Sequence, residues 1–392
     1  MNSKKGKKSA WFYLKQLIRF WYLPSLTHCT ASKFSNMTLR ISCFLLLILA
    51  ACTQHTDKNI AEYFKNPEPG MQTGGVKMIE IETPKGKFKV WTKRVGNNPR
   101  IKLLLLHGGP ACTHEYFECM DSYLPAEGIE YYYYDQLGSF YSDQPKDSSL
   151  WTTERFVEEV EQVRKALGLN KDNFYLLGHS WGGILAAEYA LKYQENLKGL
   201  IISNMMMSIP EYNEYANNVL AKQLPPAVLD TIKSIEAAGD YANPKYMELL
   251  MPYHYATHIL RMPIADWPDP VNRGLNHVNP DIYVLMQGPS EFGASGRLLH
   301  WDRKADMHKI SVPTLSIAGT HDTMDPAHME WIAKTVQKGT FLLCPNGSHM
   351  SMWDDQVSYM NGLVGFVKTV DGGRAHHLKL LEGLFFQHSR CN

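Results

Sequence analysis

Hydrophobic positions along this chain keep two rhythms in turn between about residues 78 and 370. Met78-Ile79-Glu80-Ile81-Glu82 and Lys87-Phe88-Lys89-Val90-Trp91 alternate apolar and polar residues around Pro84-Lys85-Gly86. That alternation predicts an antiparallel hairpin at a sheet edge. A mainly apolar run at 101–106 predicts a strand buried on both faces, and similar runs at 128–134, 174–177, 200–204, 313–319 and 339–343 predict further strands. Residues 152–167 have helical period, with a possible capping box in Thr152-Thr153-Glu154-Arg155 and a glycine stop at Gly168. Strands alternating with helices predict an α/β fold, a mostly parallel central sheet covered on both faces. The rhythm breaks between Asn204 and Val312, where about a hundred residues read as helical and rich in Met, Tyr and Pro. A helical insertion of that length predicts a cap over the strand ends. The expected organisation is a core at 76–205 and 312–370, a cap at 206–311 and an appended tail at 371–392.

One apolar run ends in chemistry. Phe174-Tyr175-Leu176-Leu177 leads into Gly178-His179-Ser180-Trp181-Gly182-Gly183, and Ile184-Leu185-Ala186-Ala187 continues as an apolar helix. Strand, Gly-x-Ser-x-Gly and helix in that order form the nucleophile elbow of α/β hydrolases. Three fixed residues in five are weak alone, arising by accident in about one chain in ten of this size. The partners carry the weight. In this fold the order is Ser, acid, His. Asp322 in Gly319-Thr320-His321-Asp322 follows one predicted strand, and His349 in Asn346-Gly347-Ser348-His349-Met350 follows the next. His321 and Asp325 are the nearest rivals. The oxyanion hole needs two backbone donors. Trp181, the residue after the nucleophile, supplies one; Gly109 in His107-Gly108-Gly109-Pro110 is the choice for the other.

Charge and cysteines narrow the class. A formal net charge of +1 with 20% charged residues implies no polyanionic partner and argues against nucleic acid. None of the seven cysteines shows zinc spacing, and no metal or cofactor is expected. Cys112 and Cys119, seven apart, could share one helix face, too far apart for a disulfide; with Cys344 they read as small buried residues.

The N-terminal region reads separately. Met37-Thr38-Leu39-Arg40 precedes an apolar run at 41–51 that has the length of a signal h-region. It ends in Leu49-Ala50-Ala51-Cys52, which resembles a bacterial lipobox. The expectation is a signal peptide at 37–52, lipidation of Cys52, a polar tether at 53–75 and a membrane-anchored protein of the cell envelope. An ordinary secretory signal or a short membrane anchor is the alternative. Residues 1–36, basic and aromatic, read as an over-extended reading frame before a true start at Met37, or else as an amphipathic extension lying on a membrane surface.

Together, His107-Gly108-Gly109-Pro110, Asp135-Gln136-Leu137-Gly138-Ser139, the elbow, and Asp322 with His349 resemble the proline iminopeptidase family of α/β-hydrolase serine peptidases, across roughly residues 70–370. The resemblance implies a serine aminopeptidase that releases N-terminal residues, proline favoured, from short peptides or aminoacyl amides through an acyl-enzyme. Within the cap, Gly288-Pro289-Ser290-Glu291-Phe292 is similar to the segment with which tricorn-interacting aminopeptidases grip the substrate's amine, which implies Glu291 as the amine anchor. Three positions depart from the pattern. Ala111 follows Pro110 in place of the usual glycine, Leu137 stands where many members carry Arg, and Thr323 replaces a second amine-binding Glu. Glu211, Glu214 and Glu248 are cap carboxylates available as substitutes. The alternatives are an esterase or amino-acid amidase on the same triad, and a non-catalytic surface lipoprotein whose cap binds peptides.

Overall fold

The computed structural model describes residues 70–373. The expected reading-frame extension, the signal segment with Cys52, nearly all of the tether and all but the start of the appended tail lie outside the described residues. Contacts group the chain into Met1–Phe64, wholly outside them, and Lys65–Asn392.

Eight strands form one sheet in the order β1-β2-β4-β3-β5-β6-β7-β8. β1 (Val76–Thr83) and β2 (Gly86–Val95) make the edge hairpin, with Thr83 opposite Gly86. β2 also pairs antiparallel with β4 (Glu130–Asp135). β3 (Lys102–Leu106), β5 (Phe174–His179), β6 (Gly199–Ser203), β7 (Thr314–Gly319) and β8 (Gly339–Cys344) continue the sheet in parallel from β4. β4 begins two residues later than its apolar run. Gly128, at φ 70°, and Ile129 are spent turning back onto Pro125 and Leu124.

The four consecutive tyrosines of β4 follow the strand period of two. Tyr132 and Tyr134 enter the core on one face and Tyr131 and Tyr133 the core on the other. Their hydroxyls are satisfied, as buried polar groups must be. Tyr131 and Tyr133 both bond Asp121, Tyr132 bonds Glu130, and Tyr134 bonds Glu159.

Two local expectations change. Helix α1 (Thr153–Ala166) starts at N-cap Thr152, whose side chain accepts from Arg155 N at 3.3 Å. Arg155 has no acceptor to return the bond, so this is a single cap and not a capping box; its guanidinium turns to Glu159 and Leu150 O instead. Cys112 and Cys119 do not share a helix face either, because the tight 3-10 segment His114–Ser122 contains Cys119 and begins after Cys112. Both are buried free thiols, as is Cys344.

Between β6 and β7 lie α3 (Ile209–Tyr215), α4 (Pro226–Ala238), α5 (Pro244–Leu250), a π-helical stretch Met251–Ile259, α6 (Asp269–Asn276) and α7 (Pro280–Met286); α2 (Trp181–Tyr193) follows the elbow. A proline sits in the first turn of each of the five cap α-helices, where its missing N–H costs nothing. The cap is bonded to the core at its loops. His349 N donates to His258 O at 2.8 Å, Met350 N to Ile259 O at 2.9 Å and Asn279 N to Ala111 O at 3.0 Å. Among the described residues no helix is long and apolar enough to cross a membrane.

Candidate active site

The elbow is as sharp as its sequence requires. Ser180 sits at φ 56°, ψ −127°, a conformation that costs a non-glycine residue on the order of 1–3 kcal/mol. It persists because its neighbours leave no alternative. Ser180 N is bonded to Ser203 O on β6, and Gly183 N to Ser180 O at 2.6 Å. A Cβ on Gly178 would lie 1.9 Å from Gly182 O, and one on Gly182 would lie 2.1 Å from Leu106 O. Only glycine fits at either position.

His349 follows β8 and Asp322 follows β7. His349 Nδ1 and Asp322 Oδ1 are 2.8 Å apart in a buried pair, which directs His349 Nε2 away from the acid. Asp322 also accepts from Asn204 Nδ2 at 2.7 Å, Met324 N at 3.1 Å and Thr323 Oγ1 at 3.3 Å. Burial alone would raise the Asp322 carboxyl, but His349 and these donors outweigh it and hold it below its usual range. For His349, burial opposes the charge, yet the carboxylates of Asp322 and Glu291 prevail and the imidazole stands above 6.5. Neither rival lines the cavity that holds Ser180. His321 N and O bond Gly347 O and His258 Nδ1, and Asp325 caps helix α8 (Pro326–Thr335) through Ala327 N.

Gly108 lies against the nucleophile, a Cβ on it falling 2.9 Å from Ser180 Cβ. Gly108 N is already committed to Tyr116 Oη at 2.6 Å, whereas Gly109, at φ 109°, lines the cavity. Trp181 is the first residue of α2, so its N–H has no acceptor within the helix. Those are the two candidate oxyanion donors. Ala111 adopts φ 60°, which is the physical reason glycine is usual there.

Sequence reasoning missed the groups that hold these loops together. Tyr116 Oη accepts from Gly108 N and donates to His179 Nδ1 at 3.0 Å; His179 Nε2 donates to His349 O at 2.8 Å. The oxyanion turn, the elbow and the base loop are thus tied by one buried chain. Burial holds His179 down to about 3, which keeps it the neutral donor–acceptor the chain needs. Gln136 Oε1 accepts from Trp181 Nε1 at 2.9 Å while its Nε2 donates to His107 O at 3.1 Å. Asn204, at φ 54°, is the residue directly after β6; an Asn in a left-handed conformation at a strand end is the one signal that could have found it.

Ser180, His349, Gly109 and Glu291 line one cavity of about 420 Å³. Glu291 is on a loop after α7, not on a helix. Its backbone is clamped by three buried side chains: Tyr212 Oη and His254 Nε2 to its carbonyl, and its N–H to Tyr255 Oη. Its carboxylate accepts from Tyr283 Oη at 2.5 Å, and burial raises its pKa. A half-buried carboxylate with one hydroxyl donor can accept more. The other carboxylates do not join it. Glu211 pairs with Lys304 and His328, Glu248 pairs with Lys245, and Glu214 is exposed. Thr323 is turned into the triad, within 3.2 Å of His349 Nδ1.

The model of the α/β hydrolase fold family matches residues 102–233. Proline iminopeptidase of Flavobacterium johnsoniae is 62% identical over 294 residues, which span 75% of this chain and 98% of the relative. The chain belongs to the proline iminopeptidase family. The Elizabethkingia meningoseptica proline iminopeptidase is 61% identical over 296 residues, again 75% and 98% of the two chains. The crystal structure of proline iminopeptidase from Mycobacterium smegmatis superposes with a TM-score of 0.67 at 27% identity, covering 75% of this chain and 99% of that one. Family membership agrees with the resemblance carried by the four motifs.

Proposed function

We propose that this protein is a serine aminopeptidase that releases N-terminal residues, proline favoured, from short peptides. The observation that carries the reading is Glu291: a clamped carboxylate opens into the cavity that also holds Ser180 and His349. A free α-ammonium needs such an acceptor, because a desolvated cation without a partner is expensive. Ser180 Oγ attacks the carbonyl while His349 Nε2 takes its proton. Asp322 fixes the tautomer and stabilises the imidazolium, and the N–H groups of Gly109 and Trp181 receive the oxyanion. His349 then protonates the leaving amine, and water attacks the acyl-enzyme by the same route in reverse.

The test is turnover of a prolyl arylamide against an alanyl arylamide. The prolyl substrate is expected to be cleaved faster, with Ser180→Ala losing roughly four orders of magnitude or more in kcat. Turnover that survives Ser180→Ala ends the reading. For the N-terminal segment we propose cleavage before Cys52 and lipidation of that cysteine, which anchors the enzyme in the cell envelope. Labelled palmitate is expected in the wild type and absent in Cys52→Ser; no incorporation, or incorporation indifferent to the substitution, removes that proposal.

A further inference from the structure

The cavity has further lining residues that the amine anchor and the triad leave unexplained. His349 must hand a proton to the leaving amine, so the residue after the scissile bond sits beside it. Apolar side chains line the cavity near it, with Asn272 and Asn276 as polar lining residues. Met350 lines the cavity, and its N–H holds the carbonyl of Ile259, which lines it too. The chain runs on through Ile264 to Trp267. The Trp267 indole N–H is spent on Met262 O at 3.1 Å, and its carbonyl is held by Asn272 Nδ2 at 2.9 Å. What Trp267 offers the cavity is therefore ring surface on a fixed support. Ile264 is 41% exposed, a large apolar side chain at the rim of the cavity. No Lys or Arg among the described residues lines the cavity.

We propose that Ile259, Ile264, Trp267 and Met350 form a subsite for the side chain of the residue following the scissile bond, and that it selects an apolar residue whose own carboxyl is not free. This rests on the aminopeptidase reading. An apolar side chain gains by leaving water for such a wall. An anionic one, or a free α-carboxylate, would be desolvated with no Lys or Arg to meet it and with Glu291 in the same cavity. The preferred substrates are peptides of three or more residues, or C-terminal amides, with an apolar second residue.

The experiment compares kcat/KM for prolinamide, prolyl-leucinamide, prolyl-aspartamide and free prolyl-leucine. Prolyl-leucinamide is expected to exceed the last two by roughly tenfold or more. In Trp267→Ala the ratio of prolyl-leucinamide to prolinamide falls by roughly tenfold. Ile264→Lys, at an exposed position, raises free prolyl-leucine relative to its amide, a gain that damaged packing cannot mimic. Ratios within about twofold of unity, or unmoved by both substitutions, overturn the subsite. If the wild type cleaves prolinamide but does not discriminate, only the subsite falls; if it cleaves neither prolinamide nor prolyl-leucinamide, the aminopeptidase reading falls and takes the subsite with it.

Discussion

Glu291 and His349 act on one another across the cavity: each lowers the cost of the other's charge. His349 can act as the proposed base only when neutral. Its pKa lies above 6.5, so activity rises as pH climbs through a value higher than that of a free imidazole. Replacing Glu291 by Gln removes a carboxylate that favours the imidazolium, so the acid limb of kcat/KM moves to lower pH. The same substitution weakens capture of the substrate's ammonium. A hydrogen bond to a charged group is worth about 1.5–3 kcal/mol, which is roughly 10- to 150-fold in kcat/KM. A pH–rate profile on a prolyl arylamide reads both effects. A limb that stays in place means that Glu291 does not act on the base. At this scale Ser180, Asp322 and His349 could be picked out because each ends a readable strand. Asn204, Tyr116 and His179 could not be assigned their contacts, since the partners of Asn204 and Tyr116 include Asp322, 118 residues away, and His179, 63 residues away.

Elements were legible where one physical rule dominated. A buried parallel strand must be apolar throughout, and the runs at β3, β5, β6 and β7 are buried almost without exception. Where two rules compete, the boundary moved: Gly128 and Ile129 have the look of strand β4, but the turn that precedes it claims them. The cap reads as helical yet conceals its most consequential piece. α5 runs directly into the π-helical stretch Met251–Ile259, which contains Pro252. Proline cannot donate to the preceding turn, and wider helical turns of this kind are frequent at functional sites. This stretch presents the carbonyls of His258 and Ile259 to the base loop, so the cap helps hold His349 in place. Hydropathy could show that a cap was there, but not that it would touch the base.

At the scale of the molecule, the proposed nucleophile and the proposed amine anchor come from different layers. The sheet and its loops carry Ser180, Asp322 and His349, while Glu291 arrives on the cap. Arg273 fastens the two, bonding Glu115 at 2.5 Å and Glu118 at 2.6 Å on the core side and Asp269 at 2.7 Å on its own helix. Chemistry from one layer and recognition from the other make a substrate's free end the thing being measured. The central claim is therefore tested most directly by kcat/KM for a prolyl arylamide against its N-acetylated form in the wild-type enzyme. The account predicts that blocking the amine costs roughly tenfold or more, the loss of one charge-assisted hydrogen bond. Equal or faster cleavage of the acetylated substrate would contradict it.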